Sequence, residues 1–156
     1  MNKLNFYPNY DGDLYIDELP YAVNFTNNGH VWLHNLKTIP AGTEFNNNGF
    51  VWLWELKTIP AGTKFNNNGY VWLYYLTELP EGIEFNNKGY VYLRDLKTIP
   101  KDFKFNNEGY LWLPSLNYDG LSYEQFMNIY PKLHPDKQTE LKWLVRQFKL
   151  KRILYE

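Results

Sequence analysis

The sequence predicts a mainly β protein: a right-handed parallel β-solenoid of about five coils, with a shortened first coil and a C-terminal helical cap. The first observation is a 20-residue repeat aligned on glycine, at Gly29, Gly49, Gly69, Gly89 and Gly109. The second is the alternating run after each glycine, which reads HVWLH, FVWLW, YVWLY, YVYLR and YLWLP. A fixed period of this length is typical of solenoids, in which each repeat buries its apolar side by stacking on its neighbours.

Each repeat supplies a set of inward aliphatic residues and one phenylalanine. In the coil that follows Gly29, this set is Val31, Leu33, Leu36, Ile39 and Phe45. The V-x-L alternation is typical of a short strand with one buried face. Proline follows at the bend, at positions 40, 60, 80 and 100, because it cannot donate to a strand ladder. Residues 1–116 are therefore predicted to form the solenoid, with a shortened N-terminal capping coil.

Two kinds of polar position also repeat, and both are predicted to be structural. Asparagines precede the glycines at 27–28, 46–48, 66–68, 86–87 and 106–107, where a tight turn is expected and stacked amides can bond along the axis. Glu44, Lys64, Glu84 and Lys104 alternate in sign at equivalent positions. This alternation predicts a ladder of surface ion pairs between neighbouring coils.

The outward side of the strands carries the most informative pattern. Successive side chains of a strand point to opposite faces, so the residues between the buried Val and Leu cannot share their core. Eleven of these fifteen outward positions are Phe, Trp or Tyr, which predicts a flat aromatic plate. The candidate partner-binding residues are Trp32, Phe50, Trp52, Trp54, Tyr70, Trp72, Tyr74, Tyr90, Tyr92, Arg94, Tyr110 and Trp112.

Such a plate exceeds the apolar patch that a soluble monomer normally exposes, so something is expected to cover it. A foreign protein is the principal hypothesis, because Trp, Tyr and Phe are enriched in protein interfaces. The chain's own C-terminal segment and a second copy in a homodimer are alternatives. Carbohydrate stacked on the rings is another, with Asn35, Glu55 and Asp95 as polar neighbours. Direct nucleic-acid binding is disfavoured, because only Arg94 would meet phosphate there.

After Leu116 the repeat stops, and residues 117–156 are predicted to be a helical cap. SYEQFMNIY forms a short helix with Ser122 as N-cap, and a second, longer helix begins near His134. The second helix also carries a secondary basic patch, formed by Lys142, Arg146, Lys149 and Arg152. The alternative function that this patch suggests is inhibition of a nucleic-acid enzyme, such as a host defence nuclease.

Composition and motifs argue against catalytic activity and against a metal or cofactor site. The 156 residues carry a net charge of −1 and no cysteine, which excludes disulfides, thiol nucleophiles and cysteine-bound metals. His30 and His34 lie roughly 13 Å apart along a strand, too far to share a metal. No phosphate-binding or dinucleotide-binding glycine pattern occurs. The expectation is a cytoplasmic protein without enzymatic activity, cofactor, metal or membrane partner, since no secretory signal or membrane-spanning segment is found.

The unit L-x-x-I-P-x-G-x-x-F-N-N-x-G-x-V-x-L resembles that of short leucine-rich-repeat proteins of bacteria and phages, over residues 12–116. The match lies in a strand followed by Leu-Pro or Ile-Pro, as at Leu79-Pro80. The unit lacks the family's asparagine after the strand, so a parallel sheet is the firmer expectation than a true horseshoe. The resemblance implies a scaffold that binds protein through its strand face, as effectors and inhibitors do, including phage proteins that block a host defence nuclease.

Overall fold

The computed structural model describes residues 11–155, with side chains for residues 11–153. It confirms a parallel β-solenoid followed by helices. One sheet has six strands in the order β1 (Leu14–Tyr15), β3 (Val31–Trp32), β5 (Val51–Leu53), β7 (Val71–Leu73), β9 (Val91–Leu93) and β10 (Leu111–Trp112). The second sheet has four strands, in the order β2 (Asn24–Phe25), β4 (Glu44–Phe45), β6 (Lys64–Phe65) and β8 (Glu84–Phe85).

The 20-residue repeat is one coil, because equivalent residues pair directly across neighbouring strands. Val51 pairs with Val71, and Trp52 pairs with Trp72. The valines are fully buried, whereas the tryptophans between buried neighbours keep part of their surface exposed. The predicted alternation of inward aliphatic and outward aromatic residues is therefore confirmed.

The second sheet was not predicted from the sequence. It is built on the repeated phenylalanine, whose rings stack through the core from coil to coil. Phe45 lies 5.1 Å from Phe25 and 4.9 Å from Phe65, measured between ring centroids. Each of these rings is fully buried. The phenylalanine column thus contributes both a strand ladder and a continuous aromatic core.

The glycine column marks the place where successive coils approach most closely. A Cβ atom at Gly69 would lie 2.5 Å from the carbonyl oxygen of Gly49, and the other glycines of the column meet similar contacts. The conformation at Gly69 does not require a positive φ, so contact with the neighbouring coil is what selects glycine here.

Asparagine amides bond along the solenoid axis, as predicted. Asn66 Nδ2 donates to Asn46 Oδ1 at 2.9 Å, and Asn48 Nδ2 donates to Asn28 Oδ1 at 2.7 Å. Every such bond points toward the N-terminal end of the chain. These two bonds belong to separate ladders, and in the one that contains Asn48, Asn28 donates to the carboxylate of Asp11 at 2.6 Å. Since a carboxylate accepts but does not donate, Asp11 is a suitable end for this ladder.

The column of alternating charge lies on the second sheet, where Glu44 pairs with Lys64 and Lys64 with Glu84. Lys64 Nζ is 3.1 Å from Glu84 Oε1. A hydrogen bond from Asn86, and then the neighbouring Lys64, hold the pKa of Glu84 below its usual value. Lys104 lies beyond the last strand of this sheet in the described chain.

Reversing one charge in this column is expected to destabilise the solenoid. Lys64→Glu places a third carboxylate between Glu44 and Glu84, and we expect a loss of about 1 kcal/mol that shrinks as salt is added. In the wild type, the pKa of Glu84 is lowered by folding. The ionised carboxylate therefore stabilises the folded chain above the ordinary glutamate pKa, and this stabilisation is lost as the pH falls. Urea denaturation at several salt concentrations measures this loss. Lys57→Glu, on an exposed part of the same coil, is the control; an equal loss there would contradict the ladder.

The helical region packs on the end of the solenoid. It contains α1 (Tyr123–Ile129), α2 (Pro135–Glu140) and α3 (Lys142–Tyr155). Leu133 forms a parallel bridge with Leu111, and His134 N–H donates to the Leu111 carbonyl at 3.1 Å. The buried Tyr118 hydroxyl donates to the Leu113 carbonyl at 2.9 Å. Burial raises the pKa of Tyr118, so this hydroxyl stays protonated.

One predicted helix boundary is wrong. Ser122 caps α1 as expected and forms a capping box with Gln125. The single long helix expected after His134 is instead divided at Leu141, whose backbone has φ −91° and ψ 5°. No proline or glycine marks this position. Leu141, at the division, and Leu144, in the first turn after it, are both buried. No helix in the described part of the chain is long and apolar enough to cross a bilayer.

Candidate functional site

The outward residues of the six-stranded sheet form three columns, which together are called the aromatic face. The first column contains His30, Phe50, Tyr70, Tyr90 and Tyr110. The second contains Tyr15, Trp32, Trp52, Trp72, Tyr92 and Trp112. The third contains Trp54, Tyr74 and Arg94. The structure therefore brings all the predicted partner-binding residues of the strands onto one surface.

The rings of the aromatic face stand on edge. Trp52 and Trp72 have centroids 4.4 Å apart at an interplanar angle of 24°, and Trp54 and Tyr74 are 4.0 Å apart at 15°. Nearly parallel rings this close must overlap face to face. Since the coils are about 4.8 Å apart along the axis, the rings of the central coils cover one another's faces, whereas Tyr90 and Tyr110 are tilted by 46°. The expectation of a flat plate therefore needs one correction, which concerns ring orientation. The rings present their edges to solvent, and most ring faces contact a neighbouring ring.

The aromatic face stays accessible after the chain has folded. Tyr70, Tyr90 and Trp112 are 37%, 42% and 39% exposed. The tryptophans in the middle of the face are half-buried by their stacked neighbours on both sides. Among the described ring contacts, the helical region contributes His134 alone, 5.0 Å from Trp112. The described C-terminal residues therefore cap the last coil, and their ring contacts with the face lie at that end.

The third column ends in a charged group rather than in another ring. The Arg94 guanidinium carbon lies 4.3 Å from the centroid of the Tyr74 ring, within the range of a cation–π contact. Asp95 Oδ1 lies 4.0 Å from Arg94 Nε. Burial first, and then the neighbouring Tyr74, raise the pKa of Tyr92 above its usual value. The Tyr92 hydroxyl is therefore neutral at physiological pH and available as a hydrogen-bond donor.

Three residues extend the aromatic face beyond the predicted binding set. Tyr15 is 67% exposed and stacks on Trp32. His30 stacks on Phe50 at 4.3 Å, and its Nδ1 accepts the backbone N–H of Phe50 at 2.9 Å. Strand parity is the signal that places Tyr15 and His30 here. His134 lies outside the repeat, so no periodic signal could have found it.

No cluster of three or more His, Asp or Glu side chains suited to a metal ion occurs among residues 11–153. The expectations of no enzymatic activity, no cofactor and no metal stay predictions.

The residues of the predicted secondary basic patch are exposed on α3. They do not all share one environment, because the Arg152 guanidinium lies 5.1 Å from the Tyr123 ring centroid of α1. Lys142, Arg146 and Lys149 have no carboxylate partner among the described side chains.

No family model, curated protein or solved structure matches the chain. The resemblance to short leucine-rich-repeat proteins stays a prediction. Leucine-rich repeats follow each strand with a helix or 3₁₀ turn, whereas here the shortened first coil and the three full coils after it each carry a second strand. A functional argument for this chain consequently depends on the chemistry of its own surface.

Proposed function

We propose that this chain is a non-enzymatic binding protein that docks a partner protein on its aromatic face. The observation that carries the proposal is the exposure of stacked aromatic columns along the whole sheet after folding, with Tyr90 still 42% exposed. The cap packs on the last coil, so it is not the cover for these columns. Contact with a partner would remove this apolar surface from water, which is favourable.

Stacking also prepares the face for binding. Each central ring is held between two others, so its side chain loses little further rotational freedom when a partner docks. Tryptophan and tyrosine are the residues most enriched among those that dominate protein–protein affinity. The exposed ring edges carry partial positive charge, and the tyrosines add hydroxyl donors. A partner surface rich in carbonyl or carboxylate acceptors complements such edges.

The size of the face bears on the homodimer alternative. Six strands about 4.8 Å apart and three columns about 7 Å apart give a footprint of roughly 600 Å² in projection. Stable protein interfaces bury about 800 Å² on each partner. A symmetric dimer through the aromatic face alone would therefore be small, whereas a larger foreign partner can also contact the polar columns beside it.

The ring geometry limits the carbohydrate alternative. Sugar rings stack on the flat face of an aromatic side chain, and both faces of Trp72 are covered, by Trp52 and Tyr92. Trp54 begins the third column and has a stacked ring from the next coil, Tyr74, on one side. A sugar would therefore stack on the other face of Trp54. Substitution of Trp54 consequently distinguishes carbohydrate binding from protein binding.

We expect Tyr90→Glu to weaken binding of a captured protein partner by at least about tenfold, because it puts a carboxylate into an apolar interface. The measurement is calorimetric titration of the purified partner, after capture by cross-linking from cells. Lys57→Glu, which adds even more negative charge at an exposed position outside the aromatic face, is the control. Equal affinity of the two variants would exclude the aromatic face as the docking surface. Retention on a polysaccharide column that is lost in Trp54→Ala would favour carbohydrate instead.

A further inference from the structure

The outward side of α3 leaves three large apolar side chains in solvent. Trp143, Leu150 and Ile153 are 53%, 55% and 78% exposed. The cap does not need them, because the opposite side of the helix supplies its packing residues. There Leu144 is buried and Phe148 stacks on Phe126 at 4.9 Å between centroids. The exposed apolar residues are therefore surplus to the stability of the cap.

Cations surround these apolar side chains. The segment Lys142–Tyr155 contains five Lys and Arg residues and no Asp or Glu. Four of the five cations, Lys142, Arg146, Lys149 and Lys151, have no carboxylate partner among the described side chains. This face of α3 consequently attracts an anionic partner and repels a second α3, which argues against a symmetric dimer through the helix.

A cleft opens beside the same helix. Its volume is about 210 Å³, and Trp143, Leu144 and Phe148 line it together with Gln147. Lys151 and Asp119 are the charged residues of its lining. A recess of this size, with three large apolar side chains in its wall, accommodates one bulky apolar side chain. A bilayer surface would follow the convex outside of a helix, whereas a recess suits a projecting anchor residue.

We infer that α3 and this cleft form a second binding surface, for an acidic protein segment that inserts one bulky apolar side chain beside Trp143. The acidic residues of the segment meet Lys142, Arg146 and Lys151, and the apolar anchor fills the cleft. Trp and Arg together are typical of the residues that dominate affinity at protein interfaces. This surface uses none of the residues of the aromatic face, so it stands independently of the function proposed above.

A defined peptide tests the inference. The probe is a fluorescein-labelled peptide with one phenylalanine between pairs of glutamates, titrated with the full chain by fluorescence anisotropy. We expect saturable binding that weakens by at least about tenfold in Trp143→Ala and in Arg146→Glu. Lys57→Glu, which carries the same charge change on the solenoid, should leave the affinity unchanged. Both α3 positions are solvent-exposed, so circular dichroism should show folded variants.

Two further probes decide between occupants. A peptide with glycine in place of phenylalanine should lose most of the affinity, because the anchor is gone. Vesicles of phosphatidylcholine with and without phosphatidylserine test for a membrane surface. Absence of saturable peptide binding, equal binding of the glycine peptide, or equal binding by Trp143→Ala would each overturn the inference. Vesicle binding without peptide binding would assign α3 to an anionic bilayer instead.

Discussion

Gly69→Ala is expected to lower the free energy of unfolding by more than about 4 kcal/mol, at the upper limit of single-substitution effects. A methyl group at this position would lie 2.5 Å from the carbonyl oxygen of Gly49 and 2.6 Å from its carbonyl carbon. These are backbone atoms, so they cannot turn aside as a side chain would. Gly49 is itself held to the preceding coil, because its N–H donates to the Gly29 carbonyl at 3.1 Å.

Relief of this contact would require two coils to move apart along the axis. Val51 N–H donates to the Tyr70 carbonyl at 2.8 Å, and such bonds join the same coils. Separation would break them and would also open the phenylalanine stack. Since a solenoid is stabilised by contacts between neighbouring coils, disruption at a central coil removes contacts on both sides. Urea denaturation followed by circular dichroism measures the loss.

Gly62→Ala is the matched control for this prediction. Gly62 has φ +75°, and no atom lies within 4 Å of the position that its Cβ would occupy. The substitution there adds only the cost of a left-handed backbone, about 1–2 kcal/mol. If Gly62→Ala and Gly69→Ala destabilised the chain equally, close approach of the coils would not be the reason for the glycine column.

Phe65→Ala has the second largest expected effect, a loss of about 3–5 kcal/mol. Phe65 is fully buried, and its ring lies 4.9 Å from Phe45 and 5.1 Å from Phe85. Truncation leaves a cavity that those neighbours cannot fill, because both are held by strand pairing. It also removes two ring contacts, each of about 0.5–1.5 kcal/mol. The midpoint of thermal unfolding should fall accordingly.

Phe50→Ala provides the comparison on the other sheet. Phe50 also stacks between two rings, His30 at 4.3 Å and Tyr70 at 4.8 Å, but it lies on the aromatic face and is only half-buried. Water can occupy the space that its truncation leaves, so we expect a loss about half as large. Equal losses would mean that the aromatic face is as closed to solvent as the core.

The sequence alone was sufficient to predict the 20-residue length of the coil and to predict which strand side chains point inward and which point outward. Repetition at every twentieth position placed Val51 over Val71, and the two-residue period of a strand put Trp52 opposite to its buried neighbours. The same logic located every strand residue of the candidate site. It failed for the second sheet, because the buried residues two positions before and after Phe65, Thr63 and Asn67, are polar and leave no apolar alternation in the sequence.

Ring orientation was also beyond the sequence. Parity tells which side of the sheet Trp72 occupies, yet it does not tell how its side chain rotates. The spacing of about 4.8 Å between coils leaves room for one ring thickness and favours rings that stack on edge. This difference bears on the proposed function, since edge-on rings suit a protein surface and covered faces do not suit a sugar.

The chain's own sequence therefore determined the coil, its inward core and the identity of the outward aromatic residues, because these follow from local periodicity. Tertiary structure decided what periodicity does not encode: the second sheet, the orientation of the rings and the place of the cap. His134 joins the aromatic face only because Leu133 pairs with Leu111 from outside the repeat. Contacts between residues distant in the chain have no local signature, and they set which surfaces stay open.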